Sequence, residues 1–91
     1  LTEEQKQTFP QVCPDFVVEL RSRSDSLKEL QAKMQEYIDN GLILGWLIDP
    51  QNHCVEIYRS GQETEILENP IALSGENVLS GFQLNLQSIF S

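Results

Sequence analysis

Apolar and polar positions along the chain change period several times, and each change marks an element. Over 15–21, Phe16, Val18 and Leu20 fall on one face while Asp15, Val17, Glu19 and Arg21 fall on the other. This period of two predicts a β-strand with a polar second face. After a turn at 22–25, Ser26 followed three residues later by Glu29 forms a capping box. Behind it Leu27, Leu30, Met34, Tyr37 and Ile38 recur at helical spacing, and Asn40 and Gly41 supply the left-handed C-cap that stops the helix. Positions 42–49 are nearly all apolar, which at that length predicts a central strand covered on both faces, ended by Pro50. Two further short strands follow at 54–59 and 62–67, joined around Ser60 and Gly61 in an antiparallel meander. Positions 70–81, rich in Ser, Gly and Asn, read as a loop, and the alternation over 82–87 reads as a last half-buried strand. Positions 1–13 are polar without sustained period, apart from a possible short helix at 2–6, and form a lead-in segment to a domain over 14–91. The order strand, helix, three strands, loop, strand predicts a mixed α/β domain of α+β-like character, one long helix packed on a mainly antiparallel mixed sheet.

Composition bounds what such a domain can do. The 91 residues are 40% apolar and 22% charged, which suits one globular domain and excludes a disordered chain. The longest apolar stretch, 42–48, falls far short of the ~20 residues of a membrane-spanning helix, and no signal peptide opens the chain. Two cysteines, Cys13 and Cys54, are too few for a disulfide-built domain and read as reduced thiols in a cytoplasmic protein. Leu1 in place of an initiator Met leads us to expect cleavage or truncation, with part of the domain missing upstream. Fourteen acids against six Lys and Arg give a net charge of −8. Surfaces that bind nucleic acid are usually basic, so a nucleic-acid role needs a specific site containing a cation.

The strand at 15–21 and the helix after it hold the most informative groups. Glu19 and Arg21 share a face, and Lys28 and Lys33 lie on the following helix, so a carboxylate and several cations can converge where strand meets helix. For the strand taken alone, a solvated edge pair is the simpler reading of Glu19 and Arg21, and Lys33 could pair along its own helix with Glu29 or Glu36. His53 stands alone in a turn and reads as a surface residue. Neither Cys13 nor Cys54 has a supporting His–Asp arrangement for nucleophilic work. Glu56, Glu63, Glu65 and Glu68 read as a solvated sheet face, and Trp46, Leu47 and Ile48 as core.

Beyond these local readings, an ordered set of words runs along the chain. Pro14-Asp15-Phe16-Val17-Val18-Glu19-Leu20-Arg21-Ser22-Arg23-Ser24-Asp25 is followed by Lys33, Tyr37 and Gly41 at four-residue spacing. Gly45-Trp46-Leu47-Ile48-Asp49-Pro50, Val55-Glu56-Ile57-Tyr58-Arg59 and Leu79-Ser80-Gly81-Phe82 come next. Together they resemble the C-terminal half of the bacterial putative restriction endonuclease family, within the P-D-(D/E)-x-K nuclease superfamily.

The resemblance implies a restriction-endonuclease-like core, incomplete at its N-terminus, with Mg²⁺-dependent hydrolysis of DNA as its expected activity and often a homodimer. It assigns Glu19 to the (D/E) position as a metal ligand, with the backbone carbonyl of Leu20 as a second oxygen. Arg21 occupies the slot of the motif Lys. Arg can stabilise charge but is a poor proton acceptor, so Lys33, matching a relocated lysine, is favoured as the catalytic cation with Arg21 second. Asp15 is the tempting first carboxylate. Four residues of extended strand place its Cα roughly 13 Å from that of Glu19, at ~3.3 Å each, so only a bulge would let both reach one Mg²⁺. The first carboxylate is therefore expected upstream, and active and inactive readings of the 91-residue species both stand. Two other classes compete: a non-catalytic dimerising module derived from the nuclease fold, and an acidic binder of a basic partner. The nuclease reading requires Glu19 to face the same crevice as Lys33 or Arg21.

Overall fold

A computed structural model describes residues 15–90. The lead-in segment, Cys13 and Pro14 lie outside the described residues.

Strand β1 (Phe16–Leu20) leads through helix α1 (Leu27–Asp39) into β2 (Leu44–Asp49), and β3 (Cys54–Arg59) and β4 (Glu65–Glu68) continue the chain. These four strands form one sheet in the order β1-β2-β3-β4. β1 and β2 are parallel, as a helical crossover permits, and β2-β3 and β3-β4 are antiparallel. β5 (Ala72–Ser74) and β6 (Gln83–Asn85) pair in a separate two-stranded sheet, and a short helix, α2 (Gln87–Phe90), follows.

The helix forms where its caps dictate. Ser26 is the N-cap and accepts a hydrogen bond from the Glu29 N–H. At the other end the Leu42 N–H donates to the Tyr37 carbonyl and the Gly41 N–H to that of Ile38, with Gly41 at φ +104°. That is the six-to-one and five-to-two closure of a Schellman motif.

Two apolar layers sandwich the four-stranded sheet. On one face Leu30 and Met34 of α1 pack on Leu47 and Tyr58, flanked by Val17, Tyr37 and Ile38. Gly45 lets the helix come close, since a Cβ there would lie 2.5 Å from Met34 Cε. On the other face Leu44, Trp46, Ile48, Val55 and Ile57 pack against Leu73, Leu86 and Phe90. Phe16 meets Trp46 edge-on, with ring centroids 4.8 Å apart. Every residue of β2 is buried, as its apolar run predicts.

The second sheet corrects the expectation of a plain loop over 70–81. β5 lies inside that stretch and buries one residue, Leu73, so it is too short to show a period of two. The strand expected over 82–87 is three residues long and pairs with β5 rather than the main sheet. Arg59 ties the two sheets together, donating both to Glu65 of β4 and to Glu76 in the β5–β6 loop.

Candidate functional site

Alternation along β1 sends Val17 and Glu19 to the face covered by α1, and Lys33 projects from the helix toward them. Lys33 Nζ donates to Glu19 Oε1 at 3.4 Å, in place of the pairing with Glu29 or Glu36 that its own helix offers. The Lys33 side chain is about half exposed and that of Glu19 22% exposed, so the pair sits at the sheet edge and is open to solvent. β1 is the outer strand of the described sheet. The Leu44 N–H donates to the Asp15 carbonyl and the Arg21 N–H to that of Ile48. Because a parallel ladder alternates, the odd members of β1 face β2 and the Leu20 carbonyl points away from it, toward the open edge. A partly open carboxylate and an ammonium thus meet near the end of one strand, where the next residue's carbonyl is turned to the sheet edge.

Arg21 has a different setting. Its Nη1 donates to Asp49 Oδ2 at 3.0 Å and its Nε to the Asp25 carbonyl at 3.3 Å. Asp49 is 1% exposed and also accepts from the Gln51 and Asn52 N–H groups and from Asn52 Nδ2. Burial by itself would raise the Asp49 carboxyl. The Asn52 and Arg21 hydrogen bonds outweigh it and hold the group below the ordinary carboxylate value. Arg21 therefore anchors the turn after β2, while Lys33 keeps a weakly held, accessible ammonium.

Asp15 stays apart. β1 and β2 pair one-to-one from Phe16↔Leu44 to Leu20↔Ile48, with no bulge to bring Asp15 toward Glu19.

Sequence reasoning misread one acid. Glu63, Glu65 and Glu68 are exposed as expected, but Glu56 is 5% exposed beneath α1. It accepts from Tyr58 Oη at 2.7 Å and from Gln31 Nε2 at 2.8 Å. Burial, and then the Glu56 hydrogen bond, push the Tyr58 hydroxyl well above its usual range. Alternation puts Glu56 and Tyr58 on one face of β3, but only the packing of α1 shows that this face meets the helix carrying Gln31.

His53 is exposed at φ +52° and stacks on Phe90, ring centroids 5.4 Å apart. The Cys54 thiol is pushed up by burial and then by the nearby carboxylates of Asp49, Glu56 and Glu68, so it is a poor nucleophile.

A hard cation such as Mg²⁺ takes oxygen donors, commonly one or two carboxylates completed by water and phosphate. Glu19 and the Leu20 carbonyl fit that preference in kind. Among the described residues no three His, Cys, Asp or Glu side chains converge.

The fold resembles that of a known protein. The crystal structure of a putative nuclease belonging to DUF820 from Anabaena variabilis ATCC 29413 is 29% identical, with a TM-score of 0.75. The likeness covers 87% of this chain and 45% of that one, so the chain spans less than half of that protein's length. No curated protein matches the chain. A family model, Uma2, described as "Putative restriction endonuclease", matches residues 1–87. With almost its whole length matched by that model and a nuclease-like fold around the Glu19–Lys33 edge, the chain belongs to the Uma2 putative restriction endonuclease family.

Proposed function

We propose that this chain supplies one side of the active site of a Mg²⁺-dependent DNA endonuclease. The contact that carries the reading is Lys33 Nζ against Glu19 Oε1 at 3.4 Å, at the open edge of β1. Glu19 and the Leu20 carbonyl would hold the metal. The cation, when bound, polarises the phosphate and lowers the pKa of a bound water.

The protein's own groups do the rest. Hydrolysis of a phosphodiester adds negative charge to the phosphoryl oxygens as water attacks. An ammonium already positioned beside the site stabilises that charge without reorganising solvent. Lys33 suits this because its resting partner is long and exposed, so its hydrogen bonds can transfer to the substrate at little cost. Arg21, committed to Asp49 and the Asp25 carbonyl, fits the role less well and instead fixes the strand end that presents Glu19.

The test is Mg²⁺-dependent cleavage of plasmid DNA by the protein carrying this chain. Glu19→Ala and Lys33→Ala should each slow cleavage by roughly 10²- to 10³-fold, the scale of losing one preorganised electrostatic partner. Chelation of the metal should stop it. Undiminished cleavage by the Glu19 variant removes that residue from the mechanism. Absence of cleavage by the unaltered protein, with dimers seen in sedimentation, favours a non-catalytic module.

A further inference from the structure

Positive charge in this acidic chain is confined. Of the five cations among the described residues, Arg21, Arg23, Lys28 and Lys33 fall within 21–33, a stretch that carries only Asp25 and Glu29 in opposition. The stretch follows the C-terminal end of β1, beside the C-terminal end of its parallel neighbour β2. There the β1–α1 turn and the β2–β3 turn enclose an open cleft of about 750 Å³, lined by Arg21, Ser22, Arg23, Pro50 and Gln51.

The cleft walls are tied down. Gln51 Nε2 donates to the Ser22 carbonyl at 2.9 Å, joining the two turns. Arg21 is neutralised by Asp49. The Asp25 carboxylate accepts from the Ser22 N–H and hydroxyl, which hold its pKa down. Arg23 is exposed and has no hydrogen bond or ion pair with any described residue. One guanidinium thus stands uncompensated on a fixed rim, in the turn that follows the strand presenting Glu19. A guanidinium's fork of donors matches a phosphate's oxygens. The cleft's openness suits a polymer passing through it rather than an enclosed small anion. A molecule of net charge −8 also needs some local attractor before a polyanion can approach.

We propose that this cleft docks a backbone phosphate of the DNA strand, with Arg23 as the docking residue. The proposal rests on the nuclease reading for the identity of the polymer, and on the cleft itself for the phosphate.

The experiment measures binding of a fluorescein-labelled DNA duplex of about 20 base pairs by anisotropy, in EDTA, between about 25 and 200 mM NaCl. Arg23→Gln should weaken binding roughly 3- to 10-fold and reduce the slope of log K against log salt by about 1, as expected for one lost phosphate contact. Ser60→Glu, in the exposed turn between β3 and β4, makes the same one-unit change in net charge and should leave affinity within about twofold. Circular dichroism checks that both variants fold. Equal weakening by both variants, no change with Arg23→Gln, or no salt-sensitive binding by the unaltered chain would each overturn the proposal. Omitting metal separates docking from hydrolysis. Arg23-dependent binding without any Mg²⁺-dependent cleavage sinks the endonuclease reading alone, and Glu19-dependent cleavage with Arg23→Gln binding unchanged sinks the docking site alone.

Discussion

Two ion pairs flank the end of β1, and their settings assign them different work. The Lys33–Glu19 pair is long and solvated, a class that contributes about 0–1 kcal/mol. Lys33→Ala should therefore shift the denaturation midpoint little while removing the cation from the proposed site, a combination that a merely structural lysine would not give. The Arg21–Asp49 pair is short, and its carboxylate is buried with three further donors from the following turn. Asp49→Ala leaves those donors and the guanidinium without their acceptor and should cost about 2–4 kcal/mol in urea unfolding. Because the folded Asp49 pKa lies below that of an unfolded Asp, near 3.9, its contribution is fully present above that value and is lost as acid protonates the folded carboxylate. Stability of the unaltered protein should fall below about pH 4, and Asp49→Asn should flatten that fall.

At the scale of elements, α1 is the part most completely written in the sequence. The Ser26–Glu29 box, the spacing from Leu27 to Ile38 and the Asn40–Gly41 stop are all local signals, and the helix runs from Leu27 to Asp39 between them. Gly41→Ala should destabilise by about 1 kcal/mol, since a Cβ is strained at φ +104°. Gly45→Ala should cost about 1–2 kcal/mol for a different reason, because its new methyl must displace Met34 Cε and Leu42 Cδ2, both flexible side-chain ends. Thermal melts of the two variants measure both. β5 was illegible for the converse reason: with one buried residue, Leu73, it carries no local period and exists through its pairing with β6.

For the whole molecule, the β5–β6 sheet and α2 cover the face of the main sheet opposite α1. Leu86, fully buried against that face, should cost about 2–4 kcal/mol when cut to Ala, whereas Ile71→Ala, at an exposed position, should change stability by less than about 0.5 kcal/mol. Local pattern by itself determined the helix, the buried β2 and the β2–β3–β4 meander, because caps and periodicity act over a few residues, whereas the candidacy of Glu19 and Lys33 rested on the family resemblance. The ordered motifs carried the family resemblance across the chain. Only the tertiary structure decided that Lys33 reaches across to Glu19 instead of along its helix, that Arg21 is spent on Asp49, and that Glu56 lies buried under Gln31. Each depends on how α1 lies over the sheet and on which strands are neighbours, and contacts between residues 14 to 28 positions apart leave no periodic trace in the chain.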